Sequence, residues 1–413
     1  MEKLYKKGWD KEGDDLPYKV ILFLISPFLS FLSSLRSLNK RSSYVFLYLF
    51  FLFFGLTFTV GDDRDALDID GVAYRIRFEY SITDTYEDYF DAMKNYFSAN
   101  SLFGDKDIYT TTASFFVSRA TSNYHILFLI YAAIFGFFTL KSLKYFTQNK
   151  YFSNTVYCFL LFLFFTFNNI FNINGVRFYT AAWVAVFAIF KIIGDKDYRF
   201  LALLLITPLI HISFFALVVI FLVVLLSSRY TKVWTALFFV SFLISSFSAG
   251  LLESIGGHLP SALGDLVDVY SSVDALQKQE QVVSSTSWYG LVTQFLSNVY
   301  PNILMLILIL NKKTIYKESE VVPLWCFLLA YVSICNFFSP VPSFGRFTII
   351  AYPLIAYIWL TAFKGKYKNV WVYLFPVFFA RSIFVVVTNI LIVMPLELLY
   401  MSPVYLIIKY VFI

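Results

Sequence analysis

The sequence predicts an all-α, polytopic integral membrane protein: one transmembrane domain over 1–413 with about twelve transmembrane helices. Three observations carry that expectation. Of 413 residues, 59% are hydrophobic and 21% aromatic, while only 15% are charged. Apolar runs of membrane-crossing length recur from one end of the chain to the other. Those runs are continuous rather than alternating, which argues against a porin-like barrel. The formal charge of +6 is no nucleic-acid signal, because Lys and Arg cluster between the apolar runs, where they set orientation.

The first apolar run, near 20–35, ends in "SSLRSLNKR" without a small-x-small cleavage site, so it is expected to persist as a helix. Basic clusters follow at Arg36, Lys40 and Arg41; at Lys141, Lys144 and Lys150; and at Lys191, Lys196 and Arg199. Three more stand at Arg229 and Lys232; at Lys312, Lys313 and Lys317; and at Lys364, Lys366 and Lys368. Placing all six in the cytoplasm leaves two extracytoplasmic loops, 61–123 and 251–287. Both are acidic, the first through Asp62, Asp63, Asp65, Asp68 and Asp70, the second through Glu253, Asp265, Asp268, Asp274 and Glu280. The spans then fall near 20–35, 43–60, 124–140, 155–171, 179–193, 200–210 and 212–226. They continue near 233–250, 288–310, 321–338, 347–363 and 370–393.

The run at 200–228 is flanked by Arg199 and Arg229, both on the cytoplasmic side in this scheme. A single helix would put them on opposite faces. A short membrane hairpin is therefore expected, its apex "TPLIHIS", where Pro208 disfavours an unbroken helix. Each arm would be about 20 Å, short of the roughly 30 Å bilayer core. The tail 395–413 fits either an interfacial segment or a thirteenth span.

In the first loop, Tyr86, Tyr89, Phe90, Met93 and Phe97 follow helical spacing. They predict an amphipathic helix near 84–97, with Asp84 and Glu87 as its capping pair, lying on the bundle or on the outer leaflet. Cys158, Cys326 and Cys335 all lie in apolar runs and read as small core residues. No internal repeat is visible, which disfavours inverted-repeat transporters.

In this topology Arg177 faces outward, at the start of the fifth span. Asn168, Asn169, Asn172, Asn174 and Gly175 precede it and predict a polar, bent approach. An outer arginine runs against the positive-inside bias, which favours a specific partner over a headgroup anchor or a salt bridge to the acidic loop. Arg346 repeats the pattern after the Pro-rich "SPVPSFGRF" turn. Arg64, Arg75, Arg77 and Arg119 stand in the first loop or at its end. Arg381 lies inside the last run, where an unpaired charge costs about 3 kcal/mol or more. Converging guanidinium groups suit a phosphate or diphosphate, which they bind through paired N–H donors.

His211 is one of three histidines, with His125 and His258. A lone His on an apolar hairpin is more often a satisfied core residue, but its outer-side depth, shared with Arg177, makes a catalytic base an equal reading. No phosphate-binding loop, zinc-ligand spacing or nucleophile elbow is present in the sequence. Neither a metal nor a cofactor is expected. The cytoplasmic loops are too short for a nucleotide site, so any chemistry draws on an activated, lipid-borne substrate.

These features resemble the EpsG/Wzy-like bacterial polysaccharide polymerases. The likeness is carried by "NxNGVR" (172–177) with the following "AAWVA", by "PLIHIS" (208–213), by "DIDGVAYRIRF" (68–78) and by "GRF" (345–347). Many members carry Gln after the arginine, where this chain has Phe178, so the role of that side chain stays open. The resemblance implies a multi-pass protein of the bacterial inner membrane with its active site facing the periplasm. It implies joining of undecaprenyl-diphosphate-linked oligosaccharide repeat units, as in O-antigen, capsule or exopolysaccharide assembly. Membrane lipid, a chain-length regulator and a flippase are the implied partners, and nucleic acid is not.

On that basis Arg177 and Arg346 are expected to bind the diphosphate, with His211 as first choice of base and Asp62 or Asp63 second. Asn174, Tyr179, Arg64, Arg75, Arg77, Arg119 and Arg381 are expected to line the substrate. The main rival is a flippase or transporter of a lipid-linked glycan, using the same arginines without bond formation. A membrane acyltransferase lacks its paired His and Asp, and a channel lacks a filter segment.

Overall fold

The computed structural model describes residues 15–60, 70–97, 108–152, 168–227, 229–244, 288–339, 344–366, 387 and 395–412. Among them every regular element is helical. The helices are α1 (Asp15–Ile25), α2 (Pro27–Leu35), α3 (Arg41–Leu56), α4 (Asp70–Ser81), α5 (Tyr86–Phe97), α6 (Ile108–Ser118) and α7 (Tyr124–Thr147). After these come α8 (Val176–Ile189), α9 (Leu201–Ile210), α10 (Phe214–Ser227), α11 (Thr231–Ile244), α12 (Trp288–Leu310), α13 (Val322–Phe337) and α14 (Thr348–Ala362). Among the described residues, three helical stretches are long and apolar enough to cross a membrane: Tyr124–Thr147, Ile170–Gly194 and Phe344–Ala362. With them come shorter apolar helices, so this is a helical membrane protein. Loop 251–287 and most of the expected spans 155–171 and 370–393 lie outside the described residues.

Helix α8 is the centre. Every residue from Thr180 to Phe190 is buried, and the small Ala181, Ala182, Ala185 and Ala188 let neighbours approach closely. Helices α3 and α7 pack by the same device. A Cβ added at Gly55 would overlap Ala132 and the Phe128 carbonyl, and one at Gly136 would come within 2.9 Å of Phe51.

The first apolar run is not one helix. Ser26 is extended (φ −159°, ψ 132°), and Pro27 restarts the helix at its first turn, where a missing N–H costs nothing. Ser26 Oγ accepts from Phe28 N at 3.1 Å and donates to the Leu399 carbonyl at 2.8 Å. Lys19, about two turns before this break, is fully buried, paired with Asp15 at 2.8 Å and donating to Ser42 and Ser43 at the start of α3. A buried ammonium persists only with such partners.

The stretch 61–123 is more structured than its polarity suggests, because α4 and α6 flank the expected amphipathic helix. The α5 cap falls one residue later than the sequence indicates. Thr85 N donates to Asp88 Oδ2 at 2.7 Å and Asp88 N to Thr85 Oγ1 at 3.2 Å, a reciprocal capping box. Helix α5 lies on α6 through the stacked rings of Tyr89 and Phe115, 4.6 Å apart. Tyr86 and Phe90 stay exposed.

Between α8 and α13 the chain doubles back. Phe200, just before α9, meets Phe187, and His211 at the far end of α9 meets Phe178, so α9 runs antiparallel to α8. Helix α10 starts where Phe214 meets Phe347, ahead of α14, and returns along α13, with Phe221 near Phe327. At 1.5 Å per residue the arms are about 15 and 21 Å long, each short of a bilayer core.

The turns that carry the basic clusters gather at one end. Lys144 is within electrostatic reach of Arg41, Lys141 and Lys191. Tyr145 donates to Asp195 at 2.6 Å, Asn149 to Thr361 at 2.8 Å, and Tyr316 to Thr231 at 3.3 Å. Lys364 pairs with Glu318 at 3.1 Å. Arg177, His211 and Arg346 stand at the other end, because α8 runs from Arg177 toward Lys191.

Candidate functional site

The asparagine-rich approach builds the platform. Asn169 caps the 3-10 turn Ile170–Gly175 by accepting from Phe171 N at 3.0 Å. Asn168, fully buried, accepts from Trp183 Nε1 at 3.0 Å, donates to the Tyr179 carbonyl and accepts from Asn172 at 3.1 Å. Asn174 reaches furthest: its Oδ1 accepts the Gly71 N–H at 3.0 Å, 103 residues away, and docks the start of α4 on this turn. Gly71 fits there because a Cβ would overlap that oxygen. Asn174, expected to line the substrate, is thereby engaged in holding α4.

That docking brings Asp70 and Tyr74, one turn apart on α4, to Arg177. The Arg177 Nε donates to Tyr74 Oη at 3.0 Å, and its Nη2 lies 3.6 Å from Asp70 Oδ1. The second distance is an ion pair rather than a hydrogen bond. Behind Tyr74 stand Tyr131 and Tyr109, with ring centroids 6.1 and 5.4 Å apart in succession. The salt bridge to the acidic loop, which the sequence disfavours as the partner of Arg177, is thus present at Asp70. Tyr74 is not singled out by the sequence, although its i,i+4 spacing from Asp70 in "DGVAY" places the two on one helix face.

On the other side of Arg177 sits Phe178, almost fully buried, whose open role now has an answer. Its ring meets His211 at 5.4 Å, Phe214 at 5.2 Å and Phe347 at 5.5 Å. One aromatic hub thus fixes the neighbour of Arg177, the hairpin apex and the neighbour of Arg346. Arg346 lies exposed in the 3-10 turn Phe344–Phe347. Both arginines act electrostatically on His211, and Arg346 also acts on the half-buried Tyr179. The His211 backbone is extended at the apex. Its Nδ1 accepts from Ser213 N at 3.3 Å and lies 2.7 Å from Ser213 Oγ. A ring nitrogen that accepts from a backbone N–H leaves the neutral imidazole its proton on Nε2.

The remaining arginines divide. Arg75 bonds Glu79 at 3.1 Å and stacks over Tyr124 at 4.5 Å. Arg119 donates to the carbonyls of Ser81, Ile82 and Asp84 and so closes the C-terminal end of α4. Arg77 shares with Arg177 the wall of a cavity of about 410 Å³ between α4, α5 and α6. Neither Arg346 nor His211 lines that cavity. Asp62, Asp63, Arg64 and Arg381 lie outside the described residues. Among the described residues no three His, Cys, Asp or Glu side chains gather as a metal site requires.

A helical membrane protein with two arginines, each next to a ring of one aromatic hub, is thereby defined. The chain matches the EpsG family over residues 72–400 and belongs to it. That membership points to a polysaccharide-polymerase type of role. Comparison with curated proteins and with solved structures finds no match.

Proposed function

We propose that this chain joins lipid-diphosphate-linked oligosaccharide repeat units into a polysaccharide, on the periplasmic side of the bacterial inner membrane. The carrying observation is the gathering of Arg177, Arg346 and His211 around Phe178, at the end of the bundle opposite the basic turns. The positive-inside rule assigns those turns to the cytoplasm and therefore the arginines to the periplasm.

In this reading a hydroxyl oxygen of one repeat unit attacks the anomeric carbon of the growing chain. The glycosidic C–O bond forms as the bond from that carbon to the diphosphate oxygen breaks, and the electron pair leaves with the undecaprenyl diphosphate. Arg177 and Arg346 neutralise the charge that develops on the leaving group. His211, whose Nδ1 accepts from Ser213 N, serves in this reading as a further donor to the diphosphate through Nε2. The hydroxyl proton passes to a carboxylate of the acidic stretch ahead of α4, Asp62 or Asp63.

The test is the glycan of a strain lacking this protein. A polymerase leaves one repeat unit per carrier lipid at the periplasmic face. A flippase leaves none there, and that result would discard the proposal.

A further inference from the structure

The 410 Å³ cavity is of small-molecule size, and of its lining only Arg177 takes part in the proposed reaction. Its chemistry is mixed. Tyr80, two-thirds exposed, offers an aromatic face. Two arginines, Arg77 and Arg177, are set against two aspartates, Asp84 and Asp88. Thr110 and Thr111 add hydroxyls from α6.

Each rival occupant fails on that lining. An acyl chain would have to desolvate four charged groups, which hydrocarbon cannot repay. A free nucleotide or phosphate would meet two carboxylates beside the two guanidinium groups. A sugar ring meets all of it at once: its hydroxyls donate to carboxylates and accept from guanidinium and threonine, while its C–H face lies on tyrosine.

Position adds the second argument. Arg177 belongs both to the diphosphate clamp and to the cavity wall. A diphosphate held at Arg177 therefore leads its attached sugar directly into the cavity. The lining on α4 runs from Ala73 to Ser81, about 12 Å at 1.5 Å per residue, which suits a short oligosaccharide.

We propose that the α4–α5–α6 cavity is a glycan-binding subsite for the sugars adjoining the diphosphate of the growing chain. This rests on the polymerase reading above. The Asp88 oxygen not engaged by Thr85 accepts from sugar hydroxyls, Tyr80 stacks on a ring, and Arg77 bridges ring oxygens.

The test uses the full chain in lipid nanodiscs and two probes. One is the lipid-linked repeat unit extracted from a strain lacking this protein, the other sugar-free undecaprenyl diphosphate. Ala92→Trp fills the cavity from α5, and Tyr80→Ala removes an exposed ring at little cost to the fold. Both variants should bind the lipid-linked oligosaccharide at least tenfold more weakly and the sugar-free lipid unchanged. Arg177→Ala should weaken both probes. Undiminished oligosaccharide binding in Ala92→Trp and Tyr80→Ala overturns the subsite, and so does an equal loss for the sugar-free lipid. If the unaltered chain binds neither probe, the polymerase reading fails and takes the subsite with it.

Discussion

Arg119 and Arg177 stand at the same end of the bundle and look alike in sequence, yet they face opposite tasks. Arg119 directs its N–H groups to three backbone carbonyls at the end of α4 and lies over Phe115 at 4.8 Å. The Ser81 carbonyl is the last of α4 and those of Ile82 and Asp84 lie in the link to α5, so the arginine ties the end of one helix to the start of the next. Arg177 meets a phenol and, at ion-pair distance, a carboxylate. A diphosphate oxygen at bonding distance replaces such side-chain partners with stronger ones. Charge and location do not separate the two arginines. The chemistry of their partners does.

The largest expected effect is at the clamp. Arg177→Ala and Arg346→Ala should each reduce polymer formation by about 100-fold or more, the scale of a lost transition-state donor. The double variant should be about as inactive as either single, because two groups on one diphosphate act as a unit. Multiplied losses in a polymerisation assay would show that they serve separate sites.

Next is the docking of α4. Gly71→Ala drives a methyl into Asn174 Oδ1 and close to Val60. We expect a loss of about 1–3 kcal/mol, typical of overpacking, together with shortened polymer as Asp70 and Tyr74 move from Arg177. Unchanged thermal stability with unchanged polymer would sever the link between that turn and the site.

Arg119→Ala should behave differently from Arg177→Ala. Losing its carbonyl contacts should cost about 1 kcal/mol, read as a few degrees in the melting curve, while polymer made per folded molecule stays near normal. A selective loss of activity would move Arg119 into the substrate path.

The smallest effect is at the α5 cap. Hydrogen bonds from Thr85 hold the Asp88 carboxyl below its ordinary value of 3.8. A lowered folded value means that the cap's contribution is present above the ordinary value and is lost as pH falls through the folded one. Acid should therefore fray α5 in the unaltered chain, and Asp88→Asn should remove that pH dependence. Hydrogen exchange of the α5 amides across pH 2–5 provides the check.

Much of this architecture is legible in the amino-acid sequence. Continuous apolar runs announce helices, and the bracketing arginines and Pro208 point to a chain reversal at His211. The Ser26–Pro27 break is hidden because hydropathy averages over a proline inside an apolar run, and the carbonyl that secures the break, Leu399, is remote in sequence. Helix α4 is hidden because Asp70, Arg75, Arg77 and Glu79 make its composition loop-like, although Tyr74 and Phe78 are buried. At the site, Arg177 and Arg346 stand out as arginines that follow bent, polar or Pro-rich turns into apolar runs. Their shared hub at Phe178 depends on three elements meeting, which no local pattern encodes. The setting of the His211 ring likewise depends on Ser213, two residues on, placed by the turn itself.

The most direct test of the central claim, that Arg177 clamps an oxyanion through its planar fork, is the length of polymer made by Arg177→Lys at normal protein level. Lysine keeps the positive charge and loses the paired N–H donors. The clamp predicts severely shortened or absent polymer. Polymer of unaltered length would show that charge alone suffices, as for a headgroup anchor, and would contradict the account.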